Sequence, residues 1–125
     1  MHHVEIVAML VVAQFLFFGA MVGRARGQYG VKAPAVSGHE GFERVYRVQM
    51  NTLELMVALL PAMFVAARFW PAEWVAGIGA VYLIGRFIYW RAYVGNPSSR
   101  GLGFILSMLP VMLLLLMALA GAILR

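Results

Sequence analysis

The sequence predicts an all-α integral membrane protein, a bundle of four transmembrane helices, and three observations carry that prediction. Of the 125 residues, 63% are hydrophobic and 12% charged, about half the charged share of a water-soluble domain. The apolar residues gather into runs of a dozen to two dozen. Each crossing takes about 20 residues, so four crossings with their loops consume residues 1–125 as a single domain. Disorder and a separate soluble catalytic domain are excluded. The absence of Cys removes disulfides, thiolate metal sites and cysteine nucleophiles. A net charge of +5 does not imply a nucleic-acid partner, because the nine Arg are scattered among hydrophobic stretches, and none is expected.

The first helix is expected over about 4–23, where the run Ile6 to Gly23 is broken only by Gln14. It lacks a basic start and a cleavage site, which favours a membrane helix over a removed signal. Arg24 to Gly41, with its glycines and Pro34, reads as the longest loop. A second helix follows over about 42–68, and Phe69, Trp70 and Pro71 mark an interfacial turn. The third, about 72–94, ends on the turn formers Gly95-Asn96-Pro97-Ser98-Ser99. The fourth, about 101–124, is expected to kink at Pro110, and the second at Pro61.

Arg24, Arg26, Lys32 and Arg44 flank the first connection, Arg91 and Arg100 the third, and Arg68 alone the second. The positive-inside rule then puts the first and third loops on the cytoplasmic side and both termini outside.

Polar residues within the apolar spans are expensive to insert and mark function. Arg47, Asn51 and Glu54 recur at i, i+4 and i+7, one stripe of the second helix. Arg86, Tyr89 and Tyr93 form a second stripe, at i, i+3 and i+7, on the third. Two polar faces at one depth predict a pocket; the structural alternative is an Arg47–Glu54 pair that only joins helices. Arg100 stands at the expected mouth as an electrostatic catalyst. His2 and His3 read as solvated, His39 as incidental, and the nine Met as gap fillers, so no metal is expected.

The run from Phe42 to Glu54, FERVYRVQMNTLE, resembles the signature of the membrane-associated eicosanoid and glutathione metabolism (MAPEG) family. The likeness extends to Ala25-Arg26, to the run Arg86 to Tyr93 and to Arg100, and so over essentially the whole chain. The resemblance implies a homotrimer with glutathione as co-substrate at each subunit interface. One subunit would supply Arg47, Asn51, Glu54, Tyr89, Tyr93 and Arg100, and its neighbour Arg26 and Gln49. Helical geometry agrees, since Gln49 lies about 200° round the helix from Arg47.

On that reading Arg47 and Arg26 hold carboxylates, Glu54 the ammonium and Asn51 the peptide groups, with Arg86 and Tyr89 lining the pocket. Arg100 lowers the thiol pKa and Tyr93 donates a hydrogen bond, giving a thiolate that attacks a lipophilic electrophile or reduces a hydroperoxide. Lipid and a lipophilic small molecule are the other expected partners, and detoxification the role. Gly27 and Leu55 stand where the family's leukotriene-forming members carry Arg and Tyr, which points away from that activity. The family's non-catalytic lipid-binding relative lacks arginines at the positions of Arg47 and Arg100, so the resemblance favours an enzyme over a lipid- or partner-binding protein of the same fold. A proton-coupled exporter would need a carboxylate in the middle of the first helix, where only Gln14 stands.

Overall fold

A computed structural model describes residues 2–125. Its helices are α1 (His2–Tyr29), α2 (Glu40–Phe69), α3 (Ala72–Gly95) and α4 (Gly101–Leu124), with a single 3-10 turn, Pro97–Ser99, before α4. Every pair of helices except α1 and α4 packs together, so α1 and α4 occupy opposite corners of the bundle. The polar cavity described below opens among α2, α3 and α4.

Three of the helices, α1, α2 and α4, are long and apolar enough to cross a membrane. The third has the length of α4 but carries Glu73, Arg86 and Arg91. Large side chains such as Leu10, Leu16, Leu109, Leu116 and Ile123 are exposed on the outside. A surface this apolar is that of an integral membrane protein, with lipid as its solvent.

The first connection departs from expectation. Helix α1 continues through Arg24–Tyr29, and the loop shrinks to residues 30–39. Glycines and charges argued locally for a loop there, but Val22 and Ala25 are buried with Phe42, and Tyr29 packs against them. That tertiary contact outweighs weak local propensity. The helix stops at Gly30, whose φ of 70° suits glycine, and Val31 N–H bonds back to Arg26 O at 3.1 Å. This is a Schellman ending with its apolar residue, Val31, tucked against the preceding turn.

His39 also has a definite task. It is the N-cap of α2, its Nδ1 accepting from Gly41 N–H at 3.0 Å, while its ring stacks on Tyr29 at 4.3 Å. At the other end of the bundle, Trp70 Nε1 donates to Met117 O at 2.8 Å and fixes the turn between α2 and α3 against α4.

Two contacts position the site. Gly103 of α4 lies so close to the backbone of Tyr89 that a Cβ there would collide with it. Behind this approach, Phe18, Val48 and Tyr89 form a buried cluster extended by Trp90, Tyr93 and Phe104. The cluster is the floor on which the polar stripes stand.

Candidate functional site

Helix α2 turns its stripe outward because the neighbouring positions are sunk. Val48 and Thr52 are fully buried, and the Thr52 hydroxyl returns its hydrogen bond to Val48 O at 2.7 Å. Arg47, Met50, Asn51 and Glu54 then form one wall of a cavity of about 460 Å³, completed by Tyr89 and Tyr93 from α3 and by Arg100 and Phe104 from α4. The volume suits a small-molecule ligand. Six residues singled out from the sequence thus meet at one cavity: Arg47, Asn51, Glu54, Tyr89, Tyr93 and Arg100.

Arg47 and Glu54 share the cavity but do not pair; the ion pairs among the described residues are His2–Glu5 and Arg44–Glu40. Both charges remain available to a ligand. The Asn51 side-chain oxygen is buried and has no donor, an arrangement that costs about 1–3 kcal/mol when left unmet. Tyr89 and Tyr93 stack with ring centroids 5.5 Å apart and planes 14° from parallel, so their hydroxyls are held as a set.

Arg100 is exposed and is the N-cap of α4, with one guanidinium nitrogen donating to Pro97 O at 2.9 Å. Asn96 shapes the loop before it, its side-chain oxygen accepting from Ser98 N–H at 3.2 Å and Ser98 Oγ at 2.8 Å. A guanidinium beside the positive end of a helix gives this edge of the cavity a strongly positive potential.

Arg86 is a correction. It does not line the cavity but is fully buried, with Nε and both Nη atoms unpartnered. Its guanidinium lies 4.3 Å from the centroid of the Tyr89 ring. Helical spacing put Arg86 on the stripe of Tyr89 and Tyr93, but it is Tyr89 that reaches the cavity, and Arg86 meets the ring instead. A desolvated cation–π contact is worth about 2 kcal/mol, comparable with the insertion cost of about 2.5–3.5 kcal/mol.

Neither Arg26 nor Gln49 lines the cavity of its own chain. Gln49 lies on the α1 side of α2, where a Cβ on Gly19 would come within 2.8 Å of its Nε2. Arg26 donates to Ala35 O at 2.7 Å and to Val31 O at 3.5 Å, and lies 4.9 Å from the centroid of the Phe42 ring. Gln14 is buried and donates to Leu83 O at 2.9 Å, tying α1 to α3.

Met50 and Phe104 also line the cavity, although neither carries a polar group to mark it in the sequence. Their signal was present: Met50 falls within the Arg47–Glu54 stripe, and Phe104 follows Arg100 by one helical turn.

A sequence model of the MAPEG family matches residues 4–120. The chain belongs to that family. Human microsomal glutathione S-transferase 2 is 34% identical over 115 residues, covering 92% of this chain and 78% of its own. Leukotriene C4 synthase of Cavia porcellus is 33% identical over 105 residues, 84% of this chain and 70% of its own. An uncharacterized Synechocystis protein is 45% identical over 98 residues, 78% of this chain and 72% of its own. MAPEG membership accounts for the all-helical membrane bundle.

Proposed function

We propose that this protein is a membrane-embedded glutathione transferase that activates glutathione as a thiolate against lipophilic electrophiles, and that the same thiolate reduces lipophilic hydroperoxides. The observation that carries the reading is the cavity's unpaired charge. Arg47, Arg100 and Glu54 line it without forming ion pairs to one another. Glutathione has two carboxylates, one ammonium, two peptide groups and a thiol. A cavity offering two guanidiniums, one carboxylate and an Asn side chain complements one carboxylate, the ammonium, a peptide group and the thiolate, and leaves the second carboxylate to Arg26 of a neighbouring chain.

Arg47 and Glu54 take opposite charges at the zwitterionic end, and Asn51 meets the peptide groups. Arg100 stands beside the sulfur and favours its charged form. Tyr93 donates a hydrogen bond to the thiolate, with Tyr89 stacked behind it. For conjugation, the sulfur lone pair forms the C–S bond and the acceptor's leaving group departs with its electrons. For peroxide reduction, sulfur attacks the distal oxygen, the O–O bond breaks, the alkoxide takes a proton, and a second glutathione thiolate releases the disulfide and water. The similarity to microsomal glutathione S-transferase 2 and leukotriene C4 synthase supports glutathione as the co-substrate.

The proposal includes a homotrimer, in which Arg26 and Gln49 of each chain complete the neighbour's site. It also includes a site facing the cytoplasm with both termini outside, from the arginines and Lys32 flanking the first and third loops. The direct test is conjugation of glutathione to 1-chloro-2,4-dinitrobenzene by purified protein. Turnover lost on Arg100→Ala supports the reading. Glutathione binding without conjugation or peroxide reduction would leave a non-catalytic binder.

A further inference from the structure

The face of the bundle opposite the cavity carries a second constellation. Phe17 and Phe18 of α1 meet Phe87 and Trp90 of α3 in an interlocked aromatic cluster. Phe17 lies edge-on to Trp90 at 5.5 Å and to Phe87 at 6.1 Å. Phe18 is buried, but Phe17 and Phe87 are 39% and 43% exposed, so the cluster presents an aromatic wall to the hydrocarbon. Below it, Leu10, two turns before Phe17, and Ile84, one turn before Phe87, are also exposed.

Above the wall the chemistry changes sign. Arg91 follows Phe87 by four residues, and Arg24 follows Phe17 by seven, so each lies on the same stripe as its phenylalanine. Both arginines are exposed, and neither has an acidic partner among the described residues. The Arg91 guanidinium lies 5.8 Å from the Trp90 ring centroid, and a hollow of about 300 Å³ opens between Trp90, Arg91, Val94 and Gly95.

The acids of the chain are engaged or remote. Glu40 pairs with Arg44, Glu43 accepts from Gly38 N–H at 3.1 Å, Glu54 faces the cavity on the other side, and Glu5 and Glu73 lie in the first turns of α1 and α3, at the far end. The C-terminal carbonyls of α3 would repel an anion, but Arg44 donates to Val94 O at 3.3 Å and to Gly95 O at 3.4 Å.

We propose that the outer surface shared by the C-terminal halves of α1 and α3 binds an anionic phospholipid of the surrounding bilayer, with Arg91, beside its hollow on α3, and Arg24 attracting the headgroup phosphate and the aromatic wall of Phe17, Phe87 and Trp90 receiving an acyl chain. Charge complementarity selects the occupant: two unpaired guanidiniums attract a net negative headgroup, while the aromatic wall fits the chain beneath it. A zwitterionic lipid carries its own ammonium beside the phosphate and gains less. The site shares no residue with the glutathione cavity and does not depend on that reading.

The test uses the intact protein in nanodiscs with phosphatidylglycerol or phosphatidylcholine brominated on the acyl chain, at equal mole fraction. The Trp90 contribution is the fluorescence quenching lost in Trp90→Phe. Preferential quenching by the phosphatidylglycerol, by about fivefold in apparent affinity for one headgroup contact, is expected for the parent and for Lys32→Gln. It should be abolished in Arg91→Gln and weakened in Arg24→Gln. Equal quenching of the parent by both lipids would overturn the proposal. So would equal loss in Lys32→Gln and Arg91→Gln, which would mean a diffuse surface field.

Discussion

Arg47 and Glu54 sit two turns apart on one stripe of α2, near enough to share a ligand and yet unpaired. Both side chains are exposed in the single chain; with a neighbouring chain covering the cavity, Arg47→Ala or Glu54→Ala should weaken glutathione binding by about 2–4 kcal/mol, because each leaves a charged ligand group without its partner. Calorimetry in detergent measures this, and unchanged affinity in both variants would reduce the stripe to structure. The stripe was legible in the sequence because helical spacing fixes direction round an axis. Depth is a different matter: the same spacing grouped Arg86 with Tyr89, but the cation stacks on the ring and never reaches the cavity. No pattern within one helix could have shown which of the two would stand in front.

At the scale of elements, the site depends on how closely α3 and α4 approach. Gly103 permits the contact with the Tyr89 backbone, and Ser107 adds no polar demand because its hydroxyl returns to Gly103 O at 2.7 Å. Gly103→Ala should therefore force the helices apart, costing about 1–3 kcal/mol by overpacking, and should lower the melting temperature in detergent together with glutathione affinity. A variant with unaltered melting would mean that the contact tolerates a methyl group. The apolar runs disclosed the helices, three of them by length and hydropathy alone and α3 in spite of Glu73, Arg86 and Arg91. The ending of α1 was hidden, because it depends on Val22, Ala25 and Tyr29 finding Phe42 across a turn of the chain. The role of His39 was hidden for the same reason: its ring partner, Tyr29, belongs to the other side of the loop.

At the scale of the whole molecule, the cavity wall of one chain lacks Arg26 and Gln49, which face elsewhere. If these residues serve a neighbour, the working unit is a trimer, and native mass spectrometry from mild detergent should show three chains. A monomer with undiminished glutathione affinity would contradict shared sites.

The central claim is that the assembled cavity holds glutathione as a thiolate, and that Arg100 is the reason. Free thiols titrate at about 8.5, so a nearby guanidinium must lower that value for the thiolate to dominate at neutral pH; the charged form is then lost as pH falls through the lowered pKa. Arg100→Ala should raise the bound thiol's pKa, leave binding largely intact and move activity toward alkaline pH. The most direct measurement is stopped-flow ultraviolet absorbance of the thiolate on mixing glutathione with the parent and with Arg100→Ala at neutral pH. The account predicts a rapid absorbance rise in the parent and little or none in the variant, with recovery in alkali; equal amplitudes in both proteins at neutral pH would contradict it.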